Sequence, residues 1–129
     1  MPTVSDHDQE LAADPSAARA ARGMVVAVLG TVLDTDALDR ALLCTSEVVT
    51  NAIEHGVPPF GLRIEQEDDT TVRILVRDAS PTRPSLVEAD QHAVRGRGIY
   101  IVDRCADRWG IEPDPASGGK VVWLQFDVH

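Results

Sequence analysis

Lysine is almost missing from this chain: Lys120 stands against eleven arginines, and these twelve cations face 21 acidic residues for a formal net charge of −9. A surface so short of positive charge excludes the basic footprint that nucleic-acid phosphates require. Aromatic residues are scarce as well, with two Trp, two Phe and one Tyr, so the core has to be built from aliphatic side chains. The two cysteines, Cys44 and Cys105, lie far apart and fit no metal-ligand spacing; they read as reduced, half-buried thiols of a cytoplasmic protein. The longest apolar run, Met24 to Leu29, is far below the roughly 20 residues a membrane-spanning helix needs. The polar, acidic N-terminus has no charged start followed by an apolar stretch, so no secretory signal is expected. There is no G-x-S-x-G elbow, no H-R-D or D-F-G set and no H-E-x-x-H. Gly118-Gly119-Lys120 lacks the Walker spacing and leads into a strand, so it reads as a hairpin turn.

What is present suits one globular domain of 129 residues with 43% hydrophobic side chains. Residues 1–14 are polar and weakly patterned, which predicts a flexible N-terminal tail, with the domain proper in residues 15–129. After Pro15 and Ser16, an Ala/Arg-rich run through Leu29 is expected to form a first helix, closed by Gly30. A second should begin near Asp34 to Asp36, where acids offer caps, and run to His55 before Gly56-Val57-Pro58-Pro59. Its apolar stripe comprises Leu38, Ala41, Leu42, Val48, Val49, Ala52 and Ile53, with Glu47, Thr50, Asn51 and Glu54 opposite. Strands are expected at Leu62–Gln66 and Thr71–Asp78, joined by a turn. A long lid-like loop covers Ala79 to Arg97, and a helix runs from Gly98 to about Asp107. A short strand near Ile111 and a last one from Val121 to Val128 complete the chain. The order predicts an α+β fold, a two-layer α/β sandwich with helices on one face of a mixed or antiparallel sheet.

Four features could carry chemistry, and each has a plainer reading. Asp78 shares a strand phase with Val72, Ile74 and Val76, so its carboxylate is aimed inward and needs a partner; alternatively it closes an Asx turn through Ala79-Ser80-Pro81. Glu47 and Asn51, four apart on one helix surface, could hold a hard cation through oxygen, or form an ordinary solvated face. Arg95-Gly96-Arg97-Gly98 before Ile99 could bind an anion at a helix start, or be a flexible loop entering that helix. His55 could sit at the site, or simply suit a helix C-terminus as a positive group.

The order and spacing of these features resemble one superfamily. Ser46-Glu47-Val48-Val49-Thr50-Asn51-Ala52-Ile53-Glu54-His55-Gly56 is similar to the N-box of the GHKL (Bergerat-fold) ATPases and kinases. Val76-Arg77-Asp78-Ala79-Ser80-Pro81 resembles the G1 box, and Gly96-Arg97-Gly98-Ile99-Tyr100-Ile101-Val102-Asp103 the G2 box. Ala106-Asp107-Arg108-Trp109-Gly110 and Gly119-Lys120-Val121-Val122-Trp123 resemble the compact branch of bacterial anti-sigma-factor serine/threonine kinases. The likeness extends over about residues 15 to 129.

The resemblance implies a cytoplasmic transcription regulator that binds ATP with Mg²⁺. Asp78 would accept the adenine amino group, Asn51 would ligate the metal, and Glu47 would be the general base. Gly96 and Gly98 would line the phosphates beneath a lid from Pro81 to Arg97. His55, Ser80, Arg95, Arg97, Ile99, Lys120 and Val121 complete the expected nucleotide contacts. The implied partner is a sigma factor or an anti-sigma-factor antagonist, and homodimers are common in this branch. Two departures stand out. The G1 box is usually D-x-G-x-G, but here Ser80 and Pro81 follow Asp78-Ala79, and Val121 stands where a Thr often assists adenine recognition. Both predict modest nucleotide affinity. The alternative function is a nucleotide-dependent binding module without kinase activity. A histidine-kinase fragment is a weaker alternative, because the chain has no room for a dimerising helical hairpin.

Overall fold

The computed structural model describes residues 5–80 and 101–128. The expected lid and phosphate loop, with Pro81, Arg95, Gly96, Arg97, Gly98 and Ile99, lie outside the described residues. The elements are β1 (Ser5–Leu11), α1 (Ser16–Leu29), α2 (Thr35–His55), β2 (Phe60–Gln66), β3 (Thr71–Asp78), a helical stretch at residues 101–105, β4 (Arg108–Asp114) and β5 (Gly119–Asp127). The strands form one antiparallel sheet in the order β1-β2-β3-β5-β4. α1 packs on β1 and β2, and α2 packs on β3 and β5. The result is the expected two-layer α+β sandwich, with a purely antiparallel sheet.

Each helix follows from its sequence. In α1, Ala17, Ala21, Val25 and Leu29 recur every four residues and are fully buried, one stripe of a helix whose other sides meet solvent. Asp14 starts it by accepting the Ser16 N–H at 2.8 Å. α2 begins at Asp34, whose side chain accepts the Ala37 N–H at 2.8 Å, satisfying one of the orphan donors of the first turn. It ends at Gly56, whose N–H bonds the Ala52 carbonyl at 2.7 Å. The buried side of α2 is Ala37, Ala41, Cys44, Thr45, Val48, Val49 and Ala52. Leu38, Leu42 and Ile53, expected on the stripe, lie at its margins and are half-buried. Cys44 is buried and Cys105 half-buried, and both are free thiols.

The sheet sorts its side chains by strand phase. Leu62, Ile64, Val72, Ile74, Val76, Val122, Leu124 and Phe126 point at the helices and form the core with them. On the other face lie Arg63, Arg73, Leu75, Arg77, Val121, Trp123 and Gln125, all half-buried. Arg73 stacks over the Trp123 ring at 4.6 Å, and Trp123 lies across Gly110, where any β-carbon would come within 2.7 Å of the indole.

The segment expected to be a loose tail is structured in part: β1 pairs antiparallel with β2 from Ser5↔Gln66 to Leu11↔Phe60. Asp8 receives both outer nitrogens of Arg77 at 2.8 and 2.9 Å, and Arg63 bridges Asp6 and Glu65. β4 is also longer than the expected short strand, running through Gly110 and Pro113 at the sheet edge, where a missing N–H is tolerated.

Candidate functional site

The site is built where β3 and β5 end beside the last turn of α2. In the β3–β5 register Asp78 lies opposite Lys120. Asp78 shares the phase of Val72, Ile74 and Val76; Lys120 shares that of Val122, Leu124 and Phe126. Both therefore turn inward, and their side chains are only 4% and 11% exposed. Lys120 Nζ stands 3.2 Å from one oxygen of Asp78, and the other oxygen accepts the Ser80 N–H at 2.7 Å. A carboxylate buried to this degree requires charge compensation and hydrogen bonds. Both open readings of Asp78 are thus realised at once: it closes an Asx turn with Ser80, and it is held in an inward ion pair.

Two glycines make the space. A β-carbon on Gly56 would come within 2.8 Å of the Asp78 carboxyl carbon. One on Gly119 would collide with the Asp78 carbonyl and come within 2.6 Å of the Ala79 α-carbon. The Ala79 N–H bonds the Val57 carbonyl at 2.7 Å, which ties the end of β3 to the segment after α2. The carboxylate therefore sits against the negative end of the α2 dipole, an unfavourable neighbour for an anion. The Lys120 ammonium offsets that field.

Glu47, Asn51 and His55 occur at four-residue spacing along α2, so they lie on one side of the helix about 6 Å apart in rise. Glu47 and Asn51 are half-buried and His55 is exposed, the last with Glu54 at 3.6 Å. Gly56, directly after His55, carries this ladder to Asp78. The structure thus brings together Asp78, Ser80 and Lys120 at one end and aligns Glu47, Asn51 and His55 along the helix leading to it.

Val121 is a correction. It alternates to the far side of the sheet, opposite Arg77, so its side chain points away from Asp78. The inward position beside the carboxylate is Lys120. Gly118 is a turn residue as expected, at φ +75°, where glycine avoids the β-carbon strain of the left-handed region. Gly118-Gly119 closes the expected hairpin between β4 and β5, and Lys120, just beyond it, enters the ion pair. A signal was present: Asp78 and Lys120 are the one charged residue on the inward phase of their respective strands, and antiparallel pairing sets them opposite each other.

Among the described residues there is no group of three or more His, Cys, Asp or Glu arranged to hold a metal. A divalent cation here could draw on single oxygen donors such as Asn51, which suits Mg²⁺, an ion that retains water and shares phosphate oxygens. No helix among the described residues is long and apolar enough to cross a membrane.

Comparison with known proteins agrees with the fold. A solved structure described as the RsbU and RsbW domains of a Mycobacterium tuberculosis protein superimposes with a TM-score of 0.73 at 20% identity, over 97% of this chain and 33% of that one. The present chain spans about a third of that protein's length. No curated protein sequence matches the chain. The model of the histidine kinase-like ATPase domain matches residues 11–126. Its span takes in α2, the Asp78–Lys120 pair and the sheet that carries them, and by this match the chain belongs to the histidine kinase-like ATPase family of the GHKL superfamily.

Proposed function

We propose that this protein binds Mg-ATP with its base at Asp78. It acts as a regulatory serine/threonine kinase of the anti-sigma-factor type, phosphorylating a Ser or Thr of an antagonist protein, sequestering a sigma factor, or both. The observation that carries the reading is the inward Asp78 carboxylate at the end of β3, beside the last turn of α2, the helix that also presents Glu47 and Asn51. Bound Mg-ATP would supply the phosphoryl group. Asp78 would hold the exocyclic amine of adenine, and Asn51 would give one oxygen to the metal. Glu47 would orient the acceptor hydroxyl and take its proton; most of the catalysis in such a transfer is positioning and charge neutralisation. Gly96 and Gly98, with Arg95, Arg97 and Ile99, are assigned to the phosphates and His55 and Ser80 to the nucleotide's surroundings. A homodimer in a cytoplasmic setting is part of the same proposal.

The second reading is a nucleotide-dependent binding module without phosphoryl transfer. It is favoured by the Lys120–Asp78 pair, which already satisfies part of the carboxylate that a base has to engage. Incubation with ATP, Mg²⁺ and candidate antagonists decides between them. Labelling of a Ser or Thr that disappears in Glu47→Ala, with partner binding retained, establishes the kinase. Bound nucleotide with no labelling of any partner leaves the binding module.

A further inference from the structure

Asp78 is not a lone carboxylate, and this bears on which bases the site accepts. A carboxylate only accepts hydrogen bonds and an ammonium only donates them. Adenine presents a donor at N6 and an acceptor at N1. A 6-oxopurine presents the reverse, an acceptor at O6 and a donor at N1. A carboxylate held opposite the 6-position accepts from N6–H of the first and repels O6 of the second; it can accept N1–H of a 6-oxopurine, but leaves O6 without a donor. In this chain the ammonium of Lys120 lies 3.2 Å from Asp78 Oδ2, with both side chains nearly buried. Gly56 lies against the carboxylate with no side chain of its own. The ammonium rides on a flexible four-carbon stem with three rotatable donors, and the carboxylate has two oxygens, so the pair can present donor and acceptor in either order.

We infer that Lys120 is a specificity-determining residue that widens the site to 6-oxopurine nucleotides, so that the protein takes guanine and hypoxanthine nucleotides as well as adenine ones. The inference rests on the nucleotide-binding reading of Asp78. The phosphates are common to all purine nucleotides and do not discriminate among them.

Calorimetric titration of the full chain with ATP, GTP and ITP tests it; ITP isolates the 6-position from any contact to a 2-amino group. The wild type is expected to bind ITP and GTP within about tenfold of ATP. Lys120→Met is expected to shift the ITP:ATP and GTP:ATP affinity ratios by at least about 100-fold toward ATP, since a site left with a mismatched buried polar group discriminates steeply. Lys120→Arg keeps a cation in place and is expected to hold both ratios near the wild-type values, which serves if the Met variant does not fold. Tight ATP binding by the wild type with ITP and GTP at least about 100-fold weaker overturns the inference and leaves the proposed function standing. So does a Lys120→Met protein with unaltered ratios. Failure to bind any of the three overturns both.

Discussion

Lys120 and Asp78 behave as a unit in which neither side chain is affordable alone. Removing one partner of a buried pair strands the other, at a cost of about 3–5 kcal/mol, whereas replacing both by apolar groups is often close to neutral. Asp78→Asn is therefore expected to weaken ATP binding at least about tenfold, roughly 1.4 kcal/mol, and also to lower the melting temperature. The double variant Asp78→Asn/Lys120→Met should recover much of the thermal stability without recovering ATP affinity. Equal stability in wild type and Asp78→Asn, measured by thermal melting, would count against the pair as a structural element. Cys44 is a second buried group with a measurable consequence. Burial, and then the neighbouring Cys105 thiol, push its pKa up to about 12. Its folded pKa lies above the unfolded value near 8.5, so its contribution to stability is whole below about pH 8 and is lost as the pH rises toward the folded value. Cys105 should alkylate first in the native protein, with Cys44 reacting only on unfolding, as mass spectrometry of iodoacetamide-treated samples would show. Inward aim was legible for Asp78 because strand alternation is local. Its partner was not, because the contact depends on a register set between segments about forty residues apart.

At the level of elements, the first two helices were readable to within a residue or two, since caps and a buried stripe are encoded within each segment. β1 was not. Its two phases, Asp6, Asp8 and Glu10 against His7 and Gln9, are both polar and exposed, so there is no period-two hydrophobic signal to detect. It is held by the backbone ladder to β2, by Leu11 in the core, and by arginines that come from β2 and β3. The same arginines make its contribution pH-dependent. The hydrogen bond from Arg77, reinforced by Arg63, holds Asp8 below the usual carboxylate range. A depressed folded pKa stabilises above the unfolded value near 3.9 and ceases to as pH falls through the folded one. Asp8→Asn should cost roughly 0.5–1 kcal/mol at neutral pH, small because the pair is solvent-screened, and should cost less at acid pH as the wild-type carboxylate becomes protonated. Urea unfolding at the two pH values gives the comparison. β4 was underestimated for a different reason: Gly110 and Pro113 interrupt its pattern, although an edge strand tolerates both.

For the molecule as a whole, the strand order β1-β2-β3-β5-β4 places the N-terminal strand and Arg108–Asp114 at opposite sheet edges. Deleting residues 1–11 should thus remove an edge strand and uncover Phe60 and Leu62 on β2. Loss of the buried Leu11 by itself is expected to destabilise by about 2 kcal/mol. A truncated chain melting at the wild-type temperature would mean the segment contributes nothing to the domain. The far face of the sheet is covered by its own long side chains: Arg77 lies over Gly61 and Arg73 over Trp123. That arrangement also separates the two indoles. Trp123 lies on this outer surface, while Trp109 turns to the helical side and donates its Nε1–H to Asp103 at 3.0 Å. The chain therefore carries two fluorophores on opposite sides of one sheet. Quenching or red-shift of Trp109 emission would report on the helix containing Asp103, and Trp123, shielded from that helix by the sheet itself, supplies a reference signal within the same polypeptide.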